Sequence, residues 1–442
     1  MSERLVVNAH YLDRLVALAE TAGVEATEDI VTGNGVKLLA KGGRIDVHVR
    51  DRLLQHKLRK PLESSTRVVG SVSSRPIDMV AQGLLAKHAL LAGVCDANCL
   101  GEVAQALRSL TLSTPVDSML SVYAAQGPLK LEHAVGVALL AAALQHNLDR
   151  SQALETLIVA GLMHDVGELY IDPAILNSKT RLSPTQWKHI ASHPIVAATL
   201  LRELEGAGAD VAATVLHHHE RLDGFGYPQG ISGSRVPLNG QILAMAEMLM
   251  GLVESGRSPG ERAAIAVKLI PGEFNRQLLS KVSVAGRASV FADAAESITV
   301  MPVEDEVVAK AAQLGGFLMT LQRLLAAARS QVQAGSKELQ QLYMQVVGRS
   351  EQLLQAFVST GLDTTGVQNK AALTTPLDLG ELSEISIVLQ EIEWRLRELR
   401  RESRHRAERL CASETALVEL LITQCRASLP DVAKRAESVM AP

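Results

Sequence analysis

At 442 residues the chain is longer than one compact core fills, and at about 150 residues per domain it divides into two or three. Its 44 Lys+Arg stand against 48 Asp+Glu, so the net charge of −4 gives no global attraction for a nucleic-acid polymer, and aromatic residues at 3% leave few rings on which bases stack. Any anionic ligand must be attracted locally.

In chain order, the opening Met-Ser-Glu-Arg-Leu carries no basic stretch leading into an apolar signal core. The longest apolar runs, such as Ala134 to Leu144, fall short of the roughly 18 residues that span a bilayer, so a cytoplasmic protein without a membrane span is expected. Residues 8–22 place apolar groups at helical spacing and stop at Gly23, which predicts a short helix. Asp29 to Leu39 predicts a hairpin turning on Asn34-Gly35, a pair suited to the two positive φ values of a type I′ turn. A helix from Val47 to Lys57 completes a small α+β module over 1–70. A helical connector over 71–119 follows, read as one helical stretch from Ile77 to Ser113. Its cysteines, Cys95 and Cys99, are too few with Cys411 and Cys425 for a disulfide framework and are spaced unlike a zinc knuckle; all four read as reduced thiols.

From Asp117 to Val282 nearly everything reads helical except a Gly/Pro-rich loop over 223–240, giving a central all-helical domain at 120–285 and a mainly α fold class. Beyond it the pattern predicts helices over 303–333, interrupted at Gly315-Gly316, and over 336–359, then a polar loop from Thr360 to Gly380. A last long helix begins near Leu382, where Leu382, Ile385, Leu389, Ile392, Leu396 and Leu399 form a coiled-coil-like seam. The arginines from Arg395 to Arg409 alternate with Glu398, Glu402 and Glu408, which reads as a solvated face with ion pairs one turn apart. Residues 300–442 are thus expected to form a helical C-terminal region serving packing, a homodimer or a protein partner.

The chemistry concentrates between His133 and Glu247. His164-Asp165 follows an apolar helix; His193-Pro194 opens another; His217-His218-His219-Glu220 ends a third and runs into Asp223-Gly224-Phe225-Gly226-Tyr227-Pro228. Imidazoles and carboxylates together suit divalent metals that must activate water. Consecutive helical residues point about 100° apart, so His164 and Asp165 share a centre only near a helix end or across two ions bridged by the carboxylate. The glycines of the loop leave room for backbone N–H groups to approach an anion, which argues against a core position.

The run from His164-Asp165-Val-Gly167 through His193-Pro194 to His218-His219-Glu-Arg-Leu-Asp-Gly-Phe-Gly-Tyr-Pro resembles the HD-GYP family, metal-dependent phosphohydrolases that hydrolyse cyclic di-GMP in bacterial signalling. The resemblance covers about 120–285. It implies two divalent ions, iron or manganese: His133, His164, Asp165 and Glu247 would hold one, and Asp165, His193, His218 and His219 the other. Asp165 and Glu168 would carry the catalysis, and Asp223, Gly224, Gly226, Tyr227 and Pro228 would contact the cyclic dinucleotide. Linear pGpG or GMP would be the product. The same resemblance leaves His217 as the extra histidine of its triplet and His189 as structural or exposed.

The chain departs from the family pattern in four respects. Glu247 stands for an aspartate, with Met250 where a second carboxylate is usual. Glu168 replaces a lysine, Gly-Arg257-Ser-Pro stands for Arg-Pro-Tyr-Arg, and Leu129 occupies the place of a third-metal ligand. These departures keep two alternatives open: a catalytically degenerate domain that senses cyclic di-GMP or binds a protein, and a phosphohydrolase of another nucleotide.

Overall fold

The helix Lys130–Leu148 is buried on every side from Ala134 to His146, which its run of alanines, valines and leucines with no charged residue permits. Small residues bring its neighbours close. A Cβ on Gly161 of the helix Glu155–Met163 would lie 2.4 Å from the Cα of Ala138, and one on Gly136 would lie 2.5 Å from Met250 Sδ on the helix Leu238–Glu254. Met250 is therefore a core side chain filling the space that Gly136 leaves, and this accounts for an apolar residue at that position.

This computed structural model describes residues 6–72, 77–96, 98–148, 153–180, 182–255, 258–293, 304–360 and 379–427. Arg257 and all but the ends of the polar loop read from Thr360 to Gly380 lie outside them. The fold is mainly α, and no helix among the described residues is long and apolar enough to cross a membrane. Contacts gather the chain into two units that interleave in sequence: residues 1–177, 189–220 and 236–254 in the first, 178–188, 221–235 and 255–442 in the second.

In the first unit, Asn8 caps the helix Ala9–Ala22, and Gly23 ends it at φ 68°. Val24–Ala26 pairs antiparallel with Thr66–Val68, and Ile30–Val31 with Lys37–Leu39. The hairpin forms, but its turn departs from type I′: Gly35 takes a positive φ of 85° and Asn34 does not, because the Thr32 N–H reaches Val36 O and closes a wider loop. The stretch expected as one helix from Ile77 to Ser113 is three, Ile77–Lys87, Ala89–Val94 and Leu100–Ser109. Asp96 makes the last break by accepting the Asn98 and Cys99 N–H groups.

In the second unit the helices Glu304–Gln333, Lys337–Val358, Leu379–Ala407 and Ala412–Ala427 pack around apolar clusters. The first runs unbroken through Gly315-Gly316. The expected solvated arginine face is only partly so: Arg397 pairs with Glu393 one turn away, but Arg395 is 1% exposed. Arg395 reaches Glu273 at 3.0 Å and Glu391 at 2.9 Å, while Arg349 reaches the other Glu273 oxygen at 3.0 Å and also pairs with Asp223. Mixed signs along a helix allow either outcome, and the buried Glu273 decides it.

The Asp223–Pro228 loop belongs to this unit and is largely core, contrary to the expectation from its glycines. Gly224, Phe225, Gly226 and Pro228 are buried, and Phe225 packs against Leu321, Leu325 and Leu399. Arg406 donates to the carbonyls of Gly224 (2.7 Å) and Gly226 (2.9 Å), and Tyr227 meets Trp187 edge-on at 5.5 Å. Gly224 takes a positive φ of 79°, and the glycine that leaves room for the arginine is Gly230, where an added Cβ would lie 3.3 Å from Arg406 Nη2.

Candidate metal centre

Every candidate ligand in the first unit except Glu247 sits at or near a helix end. His133 lies in the first turn of Lys130–Leu148, and His164 ends Glu155–Met163, so the chain leaves the helix at Asp165. His193 opens the helix His193–Leu201, His218 and His219 follow Gly208–Leu216, and Glu247 projects from the middle of Leu238–Glu254. Gly167 lets two of these segments meet, since a Cβ there would stand 2.1 Å from the carbonyl oxygen of His193.

The side chains converge in two groups. His133, His164 and Glu247 form one; Asp165, His193, His218 and His219 form the other; within each, the ligand atoms lie within 4.8 Å of one another. Asp165 faces both. Its Oδ1 is 3.3 Å from His193 Nε2 and 3.7 Å from His218 Nε2, while its Oδ2 is 3.4 Å from His164 Nε2 and 3.8 Å from His133 Nε2. Glu247 Oε2 lies 3.2 Å from His164 Nε2 and 3.3 Å from His133 Nε2.

The ring nitrogens show what such a cluster requires. A carbonyl only accepts, so the contacts of His164 Nδ1 with Gly161 O (2.7 Å), His193 Nδ1 with Ile190 O (2.8 Å) and His218 Nδ1 with Val215 O (2.6 Å) put the proton on Nδ1 of each neutral ring. Every Nε2 then presents a lone pair. Yet His193 Nε2 stands 3.1 Å from His218 Nε2, and His133 Nε2 stands 3.2 Å from His164 Nε2. Facing lone pairs repel unless a proton or a cation lies among them. Glu247 Oε2 is buried without a hydrogen-bond partner among the described residues, although the Nε2 atoms of His133 and His164 stand near it.

The electrostatics agree with a demand for positive charge. Burial opposes ionisation of Asp165, but His164, His193 and His218 hold its carboxyl well below the usual range; His133 and His164 do the same for Glu247. Burial alone would lower His164, yet Asp165 and Glu247 raise it to about 10, and His133 and His193 are raised too. His218, desolvated and beside His193 and His164, drops to about 4 and stays a neutral donor. Divalent metal satisfies this donor set better than protons do, because a cation accepts several lone pairs at once.

Three neighbours escaped the sequence reading. Glu254 Oε1 takes the Nδ1 side of His133 at 2.8 Å. Tyr123 donates its hydroxyl to Asp165 Oδ2 at 3.2 Å. Lys130 meets Glu168 at 2.6 Å, which neutralises the carboxylate standing where a lysine was expected. The i,i+3 spacing of Lys130 and His133 was a usable signal; nothing local marked the other two. His217 bonds Ala213 O and packs on Gly240, His189 is exposed, and Leu129 is 60% exposed, with no ligating atom. Of the residues singled out from the sequence, the seven metal candidates and Glu168 lie in the first unit; Asp223, Gly224, Gly226, Tyr227 and Pro228 lie in the second.

The model of a family described as HD domain matches residues 119–271. A cyclic di-GMP phosphodiesterase of Pseudomonas aeruginosa is 30% identical over 151 residues, 33% of this chain and 36% of that protein. The 3'3'-cGAMP-specific phosphodiesterase 1 of Vibrio cholerae is 30% identical over 138 residues, 31% of this chain and 32% of that protein. The chain thus spans about a third of the length of these curated relatives. An HDG"Y"P protein from Bdellovibrio bacteriovorus, 14% identical, aligns over 59% of this chain and 93% of that one at a TM-score of 0.31, too loose an overlap to carry argument.

Proposed function

We propose that this chain, whose residues 119–271 match the HD domain family, is an HD-GYP-type metal-dependent phosphodiesterase acting on cyclic di-GMP, with pGpG or GMP as product. The observation that carries the reading is Asp165, whose two oxygens face two separate groups of imidazoles. In this reading His133, His164 and Glu247 would hold one divalent ion and His193, His218 and His219 the other, with Asp165 a ligand available to both. When bound, two such ions offset charge on the phosphoryl oxygens and lower the pKa of an attacking water. The chain's own part is orientation. Tyr123 fixes one oxygen of Asp165, and backbone carbonyls fix the tautomers of His164, His193 and His218. The Asp223–Pro228 loop is accounted for by packing within its own unit, and the reading does not call on it.

Relatives named for 3'3'-cGAMP match at similar identity and favour a second substrate within the same class, a different cyclic dinucleotide. The test is turnover of both dinucleotides by protein purified without oxygen and supplied with iron(II) or manganese(II), products separated by chromatography, with Asp165→Ala as control. Metal-dependent product absent from the control supports the enzyme, and the ratio of the two rates assigns the substrate. A folded, metal-loaded sample that forms no product from either defeats it in favour of a domain that binds without turnover.

A further inference from the structure

The metal cluster has an ammonium group at its rim that neither the ligand set nor the fold requires. Lys130 begins the helix Lys130–Leu148, three residues before His133, so both side chains project from one helix face. Its Nζ donates to Glu168 Oε2 at 2.6 Å and lies 5.0 Å from the centre of the Tyr123 ring, whose hydroxyl bonds Asp165. Exposure rises outward: side chains of His164 and His218 are 0% exposed, Asp165 11%, Glu247 18%, Glu168 20% and Lys130 36%. Lys130 and Glu254, at 36% and 37%, are thus the parts of this assembly that solvent meets first, and of the two only Lys130 carries the charge that attracts an arriving anion.

We propose that Lys130, aimed by Glu168, is the phosphate-binding residue of this site and contacts a non-bridging oxygen of the substrate phosphodiester. The proposal rests on the reading of the cluster as a phosphodiesterase centre. Asp165, Glu168, Glu247 and Glu254 gather four carboxylates around a place that must receive an anion, and a cation at the rim offsets the repulsion. An ammonium has three donors; Glu168 takes one, and the ring face is served by charge alone, so donors remain for a phosphate oxygen. Arg14 also feels Glu168, but it is buried, and its guanidinium is committed to the carbonyls of Leu169 and Ile171 and to Gln126. The competing account is a structural pin, an ion pair that fastens the start of one helix to the 3-10 turn Val166–Tyr170. The two accounts differ in sign at Glu168: a pin is lost equally from either end, whereas a phosphate site loses its cation in one variant and a repelling carboxylate in the other.

The experiment compares Lys130→Met, Lys130→Arg and Glu168→Gln with wild type, all metal-loaded, measuring affinity for a phosphorothioate analogue of cyclic di-GMP and for inorganic phosphate. Bound metal and Tm are recorded for each. Lys130→Met is expected to weaken both ligands about tenfold with metal content unchanged, Lys130→Arg to retain most of the affinity, and Glu168→Gln to strengthen it. Wild-type affinity in Lys130→Met overturns the proposal; so do parallel losses of affinity and Tm in Lys130→Met and Glu168→Gln. Phosphate binding that depends on Lys130 in a protein that ignores the dinucleotide analogue defeats the substrate reading while upholding Lys130. A wild type that binds neither ligand overturns both.

Discussion

Glu254 Oε1 stands 2.8 Å from His133 Nδ1, on the edge of the ring opposite the nitrogen that faces His164 and Glu247. A carboxylate there fixes the Nδ1–H tautomer and makes Nε2 a stronger donor. Glu254→Ala is expected to weaken metal binding by about tenfold to a hundredfold while leaving the Asp165, His193, His218 and His219 group loaded. Titration calorimetry with manganese(II) checks it: one of two binding events should weaken, and two unchanged events would refute the assignment.

Metal binding should release protons. Burial opposes charge on His164, but Asp165 and Glu247 hold its pKa at about 10, so a metal-free cluster at pH 8 is protonated there. An ion taking Nε2 must expel that proton, and apparent affinity should rise about tenfold per pH unit for each proton displaced, up to pH 10. Calorimetry in buffers of different ionisation enthalpy counts the protons; a count of zero at pH 8 contradicts the expectation. The metal-free protein carries a matching stability signature. Its raised His164 contributes stability fully present below pH 6.5 and lost as pH rises through about 10, so the Tm of chelated protein should fall across that window.

At Gly167 the demand is for space, not for an unusual backbone angle. An added Cβ would lie 2.1 Å from His193 O and 3.1 Å from Ala197 N, both backbone atoms that cannot swing aside. Gly167→Ala should therefore displace the start of the His193–Leu201 helix, costing about 1–3 kcal/mol and emptying the group that contains His193 first. Gly251→Ala is the control. That glycine is exposed within Leu238–Glu254 with nothing within 4 Å of its Cβ, and alanine there should stabilise by about 0.5–1 kcal/mol. Equal thermal shifts in the two variants would remove the steric argument.

What the sequence disclosed follows from how local each signal is. Histidines are scarce enough that His164, His193, His218 and His219 stood out beside Asp165. Glu254 was invisible because its partner lies 121 residues away, and a glutamate ending a helix looks like any solvated residue. Phe225 was misjudged along with its loop. Two flanking glycines suggested an open turn, whereas the loop is buried and its carbonyls accept from Arg406, which arrives from 180 residues further along. Burial of a charge depends on the partner supplied by another segment, and no window of sequence contains both.

The buried chain of alternating charges in the second unit sets the last prediction. Asp223, Arg349, Glu273, Arg395, Glu391 and Arg262 follow one another, the Arg395–Glu391 and Arg262–Glu391 contacts closing at 2.9 and 2.7 Å. Arg349 is its branch point, since it also reaches Glu398 at 3.2 Å. Removing an end acid leaves Arg349 with two partners, whereas removing Arg349 leaves Asp223 without an arginine, with the Phe225 N–H on its Oδ1, and leaves Glu273 with Arg395 alone of the two arginines it bonds. Arg349→Met should accordingly cost about 3–5 kcal/mol, Asp223→Asn clearly less, and the double variant little more than Arg349→Met. Both tryptophans of the chain, Trp187 and Trp394, belong to this unit, so their fluorescence during urea unfolding reports it directly. Strict additivity of the two single effects would show that Asp223 and Arg349 act independently and that the chain of charges is not one network.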